Sequence, residues 1–213
     1  VARTAALQTG DSWSYRLVAG ADLGAANMMQ TRSDQTGDLT VAGNKLIRTG
    51  TGSIEMAAGR DIALRTASNT PAVVYVAGTK VTPPADFITP DGAVFSERGG
   101  RLSLNAGRDI GSAASNQLIN NWLFRTGRMD TGTSTFNETS YLAWWSRFDL
   151  YKQGVGSFGG GNVVVNAGRS ISDLSVVAPT SAYLASAVAD VSKLVTLGGG
   201  DIDIRAGADV RGG

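Results

Sequence analysis

The chain has 213 residues, of which 19 are basic and 18 acidic, and this formal charge of +1 gives no argument for a nucleic-acid partner or an anionic membrane. It contains neither cysteine nor histidine, which excludes disulfides, thiolate nucleophiles, imidazole bases and the two commonest ligands of zinc. Its 28 glycines among 213 residues are a much larger fraction of the chain than the usual share of about 7%. Glycine this frequent predicts many backbone corners.

One sequence pattern recurs along the chain: Gly, any residue, apolar, any, apolar, any, Ala, Gly, two further residues and a final apolar residue. Two degraded copies come first, SYRLVAGADL at 14–23 with its corner at Gly20, and the shortened GDLTVAGNKL at 37–46 with its corner at Gly43. The recurrence predicts a repeating architecture. Four full copies follow: GSIEMAAGRDI at 52–62, GRLSLNAGRDI at 100–110, GNVVVNAGRSI at 161–171 and GDIDIRAGADV at 200–210.

Each full copy predicts a strand, a corner and a second short strand. Successive side chains of a strand point to opposite faces, so the two alternating apolar positions should share one buried face. The glycine ends the strand where a positive φ or a tight corner disfavours a side chain. The next apolar residue should then face inward again. The inward positions are Ile54, Met56 and Ile62, then Leu102, Leu104 and Ile110, then Val163, Val165 and Ile171, then Ile202, Ile204 and Val210.

Units with one small apolar face must be stacked, because a single unit cannot bury that face. Stacking with strands about 4.8 Å apart gives a parallel β-helix, or solenoid, which is an all-β fold. A β-propeller requires nearly constant spacing, whereas the corner glycines lie 16 to 61 residues apart. A β-sandwich does not explain the recurrent Ala-Gly corner. We therefore predict a single β-helix segment over residues 1–213.

Three segments interrupt the repeat, at about 69–98, 112–159 and 176–198. The first is rich in proline and predicts a strand around Val73 followed by an extended loop. The second predicts two short helices on the flank of the stack, and the third predicts one amphipathic helix. Their apolar residues at helical spacing are Leu118, Ile119, Trp122 and Leu123, then Tyr141, Leu142, Trp145, Phe148 and Leu150, then Tyr183, Leu184, Ala187, Val188, Val191, Leu194 and Val195.

Charged pairs at the corners form a column if the repeats stack. They are Arg60 with Asp61 and Arg108 with Asp109, while Arg169 and Asp209 each stand without the other member of the pair. Such a column has the groups for polysaccharide binding or for acid–base chemistry. A regular series favours a structural role, because an active site requires one unusual cluster. We predict that each aspartate caps its own turn through backbone N–H groups while the arginines neutralise the column.

The aromatic residues of the second insertion are the sharpest candidates for contact with a partner or a glycan, because sugars stack on exposed aromatic faces. The same rings bury more area than other side chains, and a helix lying on the stack needs such anchors. Packing is therefore the favoured interpretation, and glycan binding requires Trp144 or Trp145 to be largely exposed. The candidate contact residues are Trp122, Trp144, Trp145, Phe148 and Tyr151.

The repeats resemble those of the filamentous haemagglutinin-type large exoproteins, which Gram-negative bacteria secrete by a two-partner pathway. The resemblance is carried by GGRLSLNAGRDI, GGGNVVVNAGRSISDLSV and GGGDIDIRAGADVRGG, and by the tryptophan-containing SWSYRLVAGADLGAAN, NNWLFRTGR and YLAWWSRFDLYKQGVGSFGGGN. It implies a right-handed parallel β-helix and an internal region of a long shaft that projects from the cell surface. Such shafts serve adhesion, aggregation or delivery of a terminal toxin.

The sequence and the resemblance together predict a structural and interaction segment of a secreted surface exoprotein rather than an enzyme. The expected partners are a surface protein or glycan of a host or another bacterium, and an outer-membrane transporter during secretion. We expect no cofactor, no metal, no nucleic acid and no membrane-spanning segment. The alternatives are a glycan-binding module and a carbohydrate-active β-helix that uses carboxylates such as Asp109 and Asp130.

Overall fold

The computed structural model describes residues 7–87, 89–127, 142–185 and 190–212. In these ranges the regular structure is almost entirely β, with 3-10 helices at Ile119–Asn121 and Val191–Lys193. The first ten strands are β1 (Tyr15–Ala19), β2 (Leu39–Thr40), β3 (Leu46–Thr49), β4 (Ile54–Ala58), β5 (Ile62–Ala63), β6 (Val73–Val76), β7 (Thr79–Val81), β8 (Phe95–Glu97), β9 (Leu102–Ala106) and β10 (Ile110–Gly111). The others are β11 (Leu123–Thr126), β12 (Ala143–Ser146), β13 (Gly154–Ser157), β14 (Val163–Ala167), β15 (Ile171–Ser172), β16 (Val176–Val177), β17 (Thr180–Leu184), β18 (Leu194–Gly198), β19 (Ile202–Ala206) and β20 (Val210–Arg211).

Three parallel sheets make up most of the fold, as the all-β prediction requires. The first contains β1-β4-β9-β14-β19, the second β2-β5-β10-β15-β20, and the third β3-β6-β13-β16. The chain passes through the first, second and third sheets in that order and then begins again. We call one such passage a circuit, and the three sheets together the parallel stack; circuits 1 to 5 begin with β1, β4, β9, β14 and β19.

The register aligns equivalent positions of the repeat from circuit to circuit. Leu102 pairs with Ile54 on one side and with Val163 on the other, and Ile110 likewise pairs with Ile62 and Ile171. The second degraded copy was wrongly predicted as a separate repeat. Leu39 pairs with Ile62, so residues 37–46 supply the second side of the circuit that β1 begins. An insertion at the corner after Gly20 separates the two sides and disguises their continuity.

The predicted inward positions form one apolar core in circuits 2 to 4. All nine side chains are at most 2% exposed there. The equivalent residues of circuit 5 are much more exposed, with Ile202 at 45%, Ile204 at 39% and Val210 at 62%. The reason is positional, because β19 and β20 lie at the edges of their sheets and no described strand covers them.

Close approach between circuits, rather than a positive φ, explains the corner glycines of circuits 2 to 5. A Cβ on Gly107 would lie 2.1 Å from the carbonyl oxygen of Gly59, and a Cβ on Gly168 would lie 2.1 Å from that of Gly107. Neither glycine has a positive φ. Each corner backbone thus packs directly on the one before it, and only glycine leaves the space.

Each predicted insertion contains one strand of the third parallel sheet. These strands are β6, β13 and β16, and they reduce the irregular segments to about 78–99, 112–153 and 178–199. All four side chains of β6 are buried, because Val74 and Val76 face the core while Val73 and Tyr75 are covered from outside. A strand buried on both faces has no alternating pattern, so the sequence could not reveal which face is inward.

The three predicted helices are wrong in the described residues, apart from short 3-10 turns at Ile119–Asn121 and Val191–Lys193 within two of them. Strands β11 and β12 occupy the second insertion and β17 and β18 the third, and Tyr141, Ala187 and Val188 lie outside the described residues. The four strands form one antiparallel sheet in the order β11-β12-β17-β18, which we call the accessory sheet. Consecutive apolar residues such as Trp144 and Trp145 fit either a helix or a strand. In the structure they form a strand, because β12 pairs with β17 from a distant part of the sequence.

The first insertion joins the accessory sheet through its hairpin, β7 paired with β8. Phe87 and Phe95 from this insertion pack with Trp145 and Tyr183 of the accessory sheet in a second apolar core. The three insertions therefore form one layer on the outer face of the third parallel sheet, although the register partners that join the second insertion to the third are 38 and 40 residues apart in the sequence.

Candidate functional site

The corner column consists of Asp38, Arg60, Asp61, Arg108, Asp109 and Arg169. All but Asp38 lie within two residues after a corner glycine, and Asp38 occupies the equivalent position of circuit 1, after its corner insertion. The pair between Arg108 and Asp61 shows its geometry, with Nε 3.2 Å from Oδ1 and Nη2 3.1 Å from Oδ2. Two parallel N–H groups on two carboxylate oxygens are the strong, directional form of this ion pair. The arginine belongs to circuit 3 and the aspartate to circuit 2, so the pair connects successive circuits.

The other two pairs repeat this geometry. Arg60 of circuit 2 binds Asp38 of circuit 1 with Nε 2.7 Å from Oδ1, and Arg169 of circuit 4 binds Asp109 of circuit 3 with Nε 2.9 Å from Oδ1. In both pairs Nη2 contacts the second carboxylate oxygen. Three consecutive junctions between circuits are therefore connected in the same way.

Each of these aspartates also accepts a backbone hydrogen bond from the next circuit. The N–H of Asp109 lies 3.1 Å from Oδ1 of Asp61, and the N–H of Ser170 lies 3.0 Å from Oδ1 of Asp109. The predicted capping of each aspartate's own turn is thus wrong in its direction. The carboxylate caps the corner of the following circuit, because the parallel register places that corner directly beside it.

The column is interrupted where both partners are missing. Circuit 4 has Ser170 in place of the aspartate, and circuit 5 has Ala208 in place of the arginine. The two losses coincide at the same junction, as expected if the aspartate of one circuit is matched to the arginine of the next. This paired loss is a trace of the pairing in the sequence, and the register shows which residues it links.

Ion pairs favour the charged form of two carboxylates of the column, those of Asp38 and Asp109. The Arg169 side chain holds the pKa of Asp109 below the ordinary aspartate value, and Arg60 does the same for Asp38. A general acid needs a carboxyl group with a raised pKa, so these groups are tuned in the opposite direction. The geometry shows an ion-paired cross-link between successive circuits.

The structure places four of the five candidate aromatic contact residues in the interior. Trp122, Trp145, Phe148 and Tyr151 are each at most 7% exposed. Trp144 is half-buried, and its indole Nε1 donates to Oγ1 of Thr180 at 3.0 Å. Neither tryptophan of β12 is largely exposed, which glycan stacking at this site requires, and the four buried rings pack in the interior as the packing interpretation expects.

Five rings fasten the insertions to the parallel stack, and we call them the aromatic bracket: Tyr75, Trp122, Phe148, Tyr151 and Phe158. Tyr75 and Phe148 are stacked with centroids 5.5 Å apart, and Phe158 meets the edge of Phe148 at 5.0 Å. Trp122 lies 5.2 Å from Tyr151 in an edge-on arrangement. Burial raises the pKa of the Tyr151 phenol, so this group is neutral in the folded state.

Tyr75 and Phe158 of the bracket are not among the contact residues predicted from the sequence. Tyr75 lies on β6 of the third sheet, and Phe158 directly follows β13 of the same sheet. Arg48 pairs with Tyr75, and Gly156 pairs with Tyr75 from the other side. The Arg48 guanidinium lies 5.7 Å from the Tyr75 centroid and 5.6 Å from that of Phe148, a cation–π geometry.

The residues of the enzyme alternative do not form a described pair. Asp109 belongs to the corner column, and Asp130 lies outside the described residues. In the part of the chain that the structure describes, no cluster of three or more acidic side chains has the arrangement of a metal site. Within the same residues, no helix has the length and apolar character needed to cross a bilayer.

Comparison with protein-family models, with curated proteins and with solved structures finds no match to this chain. Its functional interpretation therefore depends on the geometry of the corner column, the aromatic bracket and the exposed surfaces.

Proposed function

We propose that this chain is a segment of right-handed parallel β-helix in the shaft of a secreted surface exoprotein of a Gram-negative bacterium, where it acts as an adhesin-type structural and interaction module. The observation that carries the proposal is the in-register repetition of strand, corner and corner pair through successive circuits. Nearly all connections between parallel strands of one sheet are right-handed, which supports the handedness.

The corner column supports a mechanical role. Each junction from circuit 1 to circuit 4 is connected by parallel backbone pairing and by an arginine held on an aspartate. These contacts lie along one line of the stack and resist separation of neighbouring circuits. The accessory sheet, fastened by the aromatic bracket, adds a layer to one side only, as inserted segments of repeat proteins commonly do where they meet a partner.

A glycan-binding role is the second candidate, and a different aromatic residue favours it. Trp13 is 88% exposed and lies beside Tyr15, which is 45% exposed. Both line a groove together with the polar residues Gln8, Asp11 and Arg48. An exposed indole next to hydrogen-bonding side chains is suited to stacking on a sugar ring.

Antibodies against the 213-residue chain test the surface location when they are applied to intact cells of the bacterium that encodes it. The proposal expects labelling of unpermeabilised cells. Labelling that appears only after permeabilisation would contradict it.

A glycan array tests the second candidate with the wild type, Trp13→Ala and Trp144→Ala. Glycan binding through the groove requires a signal that Trp13→Ala abolishes and Trp144→Ala retains. The absence of any signal for the wild type contradicts the glycan-binding role, and binding that depends on Trp144 contradicts the assignment to Trp13.

A further inference from the structure

We propose that the interior of the accessory sheet is a binding site for one water molecule, held between the indole Nε1 of Trp145 and the hydroxyl of Ser181. The site lies between the second and third insertions, since Trp145 belongs to β12 and Ser181 to β17. Two observations carry the inference: both polar groups are buried without a partner, and the two strands stop pairing where these groups lie. The inference does not depend on the proposed function.

Trp145 and Ser181 each bury a polar group that has no hydrogen-bond partner. Trp145 is 5% exposed and Ser181 is 7% exposed. Among the described residues, neither the indole Nε1 nor the hydroxyl Oγ is hydrogen-bonded, so the two groups do not bond to each other. Buried N–H and O–H groups of folded proteins nearly always bond to protein or to ordered water, because an unpaired group loses its hydration without compensation. Each group therefore requires a partner that the surrounding side chains do not supply.

The register of the accessory sheet places the two groups across from each other on one face. Ala143 pairs with Tyr183 in antiparallel strands, and side chains two residues apart on a strand share a face. Trp145, two residues after Ala143, therefore lies across from Ser181, two residues before Tyr183. Their face is that of the second apolar core. Side chains at opposed positions have Cβ atoms about 5 Å apart, so one water molecule can bridge their polar atoms.

The backbone pairing between β12 and β17 ends immediately before this position. Its last pair is Trp144 with Ala182, although β12 continues through Trp145 and β17 also contains Ser181. Strands that separate leave room for a water molecule and backbone groups that can bind it. On the opposite face, the indole Nε1 of Trp144 donates directly to Oγ1 of Thr180 at 3.0 Å. The water makes the equivalent connection on the core face.

Water has the hydrogen-bonding capacity that this pair of groups requires. An indole N–H can only donate, whereas a hydroxyl can donate or accept. The water oxygen accepts from Nε1 of Trp145, and the same molecule donates to Oγ of Ser181 or accepts from it. Phe87, Phe95 and Leu184 of the second apolar core offer no polar side-chain atoms to a larger ligand. One water molecule therefore satisfies both groups and joins the second insertion to the third.

A crystal structure of the full chain tests the site directly. It should show one ordered water within about 3.2 Å of both Nε1 of Trp145 and Oγ of Ser181. Trp144 is the matched control, because its Nε1 should bond to Thr180 with no water between them. A direct bond between Trp145 and Ser181, separate waters on the two groups, or no ordered water at either group would each overturn the proposal.

Urea unfolding of Ser181→Ala tests the same site in solution by the sign of its effect. Removing a hydroxyl that binds the water should lower the unfolding midpoint by about 0.5 M, because a water-mediated bond is nearly as favourable as a direct one. Ser157→Ala sets the scale, since the buried Ser157 hydroxyl donates directly to the carbonyl of Gly100 at 2.9 Å. Removing a hydroxyl without any partner should raise the midpoint instead. An unchanged or raised midpoint for Ser181→Ala contradicts the bound water.

A double-mutant cycle with Trp145→Phe tests whether the two groups share the water. The phenylalanine keeps an aromatic ring and removes the N–H group. In that background Ser181→Ala should shift the midpoint by less than half of its shift in the wild type, because the water has already lost its donor. Equal shifts in the two backgrounds would show that Ser181 acts independently of Trp145, and the proposed bridge would then be wrong.

Discussion

The corner column and the aromatic bracket hold the molecule together by opposite chemistry. The column is charged, partly exposed and nearly identical at each of three junctions, as the pairs of Arg108 with Asp61 and Arg169 with Asp109 illustrate. The bracket is apolar, buried and formed once, from rings on the stack and on the second insertion. The residues of the column recur in the sequence because the column joins equivalent corners of successive circuits. The bracket joins two different segments once, so its residues form no repeated pattern.

The two regions should also differ in how much they contribute to the free energy of unfolding. A partly exposed ion pair contributes little because solvent and salt screen it, whereas burying an aromatic ring removes a large apolar area from water. We expect the bracket to dominate stability and the column to fix the register between circuits. The following changes test this difference, from the largest expected effect to the smallest.

Trp122→Ala should be the most damaging change, lowering the free energy of unfolding by about 3 to 5 kcal/mol because it opens a cavity in the bracket. Trp122 is 3% exposed, whereas Trp13, the matched control, is 88% exposed. Trp13→Ala should change stability by less than about 0.5 kcal/mol. Urea unfolding measures both, and equal effects would refute the assignment of Trp122 to packing.

Gly107→Ala should cost about 3 kcal/mol, because the added Cβ meets the carbonyl oxygen of Gly59 and the two circuits must move apart. Gly212→Ala is the control, since a Cβ at Gly212 has no atom within 4 Å. Thermal unfolding of the two variants compares them. A tolerated alanine at position 107 would mean that the corners do not pack as closely as described.

Asp109→Asn should cost about 1 kcal/mol at neutral pH, because it replaces a charged acceptor that is 29% exposed and serves both Arg169 and the N–H of Ser170. Asp203→Asn, in an exposed pair with Arg205, is the control and should have a smaller effect.

The same pair predicts a pH dependence. The pKa of Asp109 is lowered in the folded state, so its contribution is complete above the ordinary aspartate pKa of about 3.9 and is lost as the pH falls through the folded value. Stability of the wild type should therefore fall more steeply below pH 4 than that of Asp109→Asn. Parallel pH profiles from chemical unfolding would contradict a role for the ionised carboxylate.

Restoring the missing pair should have the smallest effect. Ser170→Asp together with Ala208→Arg should stabilise the chain by about 0.5 kcal/mol more than the sum of the two single changes, as a surface ion pair does. A double-mutant cycle from urea unfolding measures this coupling. Zero coupling would show that the junction between circuits 4 and 5 does not share the geometry of the others.

The sequence by itself determined the repeating part of this protein. Alternation at Leu102 and Leu104 identified the inward face, and the recurrent Gly107 identified a corner that excludes side chains, because both signals are local and occur in every copy. The paired absence at Ser170 and Ala208 even encodes the partners of the column, although this signal is understood only with the register known.

Only the tertiary structure decided the rest. Strand β6 is buried on both faces, so its apolar run does not show which face points into the core. Trp144 and Trp145 belong to a strand because β17, from another insertion, pairs with it. The partner of Asp109 is an arginine 60 residues later in the sequence, brought beside it by parallel stacking. A local pattern specifies the unit and its buried face, but contacts between distant segments depend on the free energy of packing, which no short stretch of sequence contains.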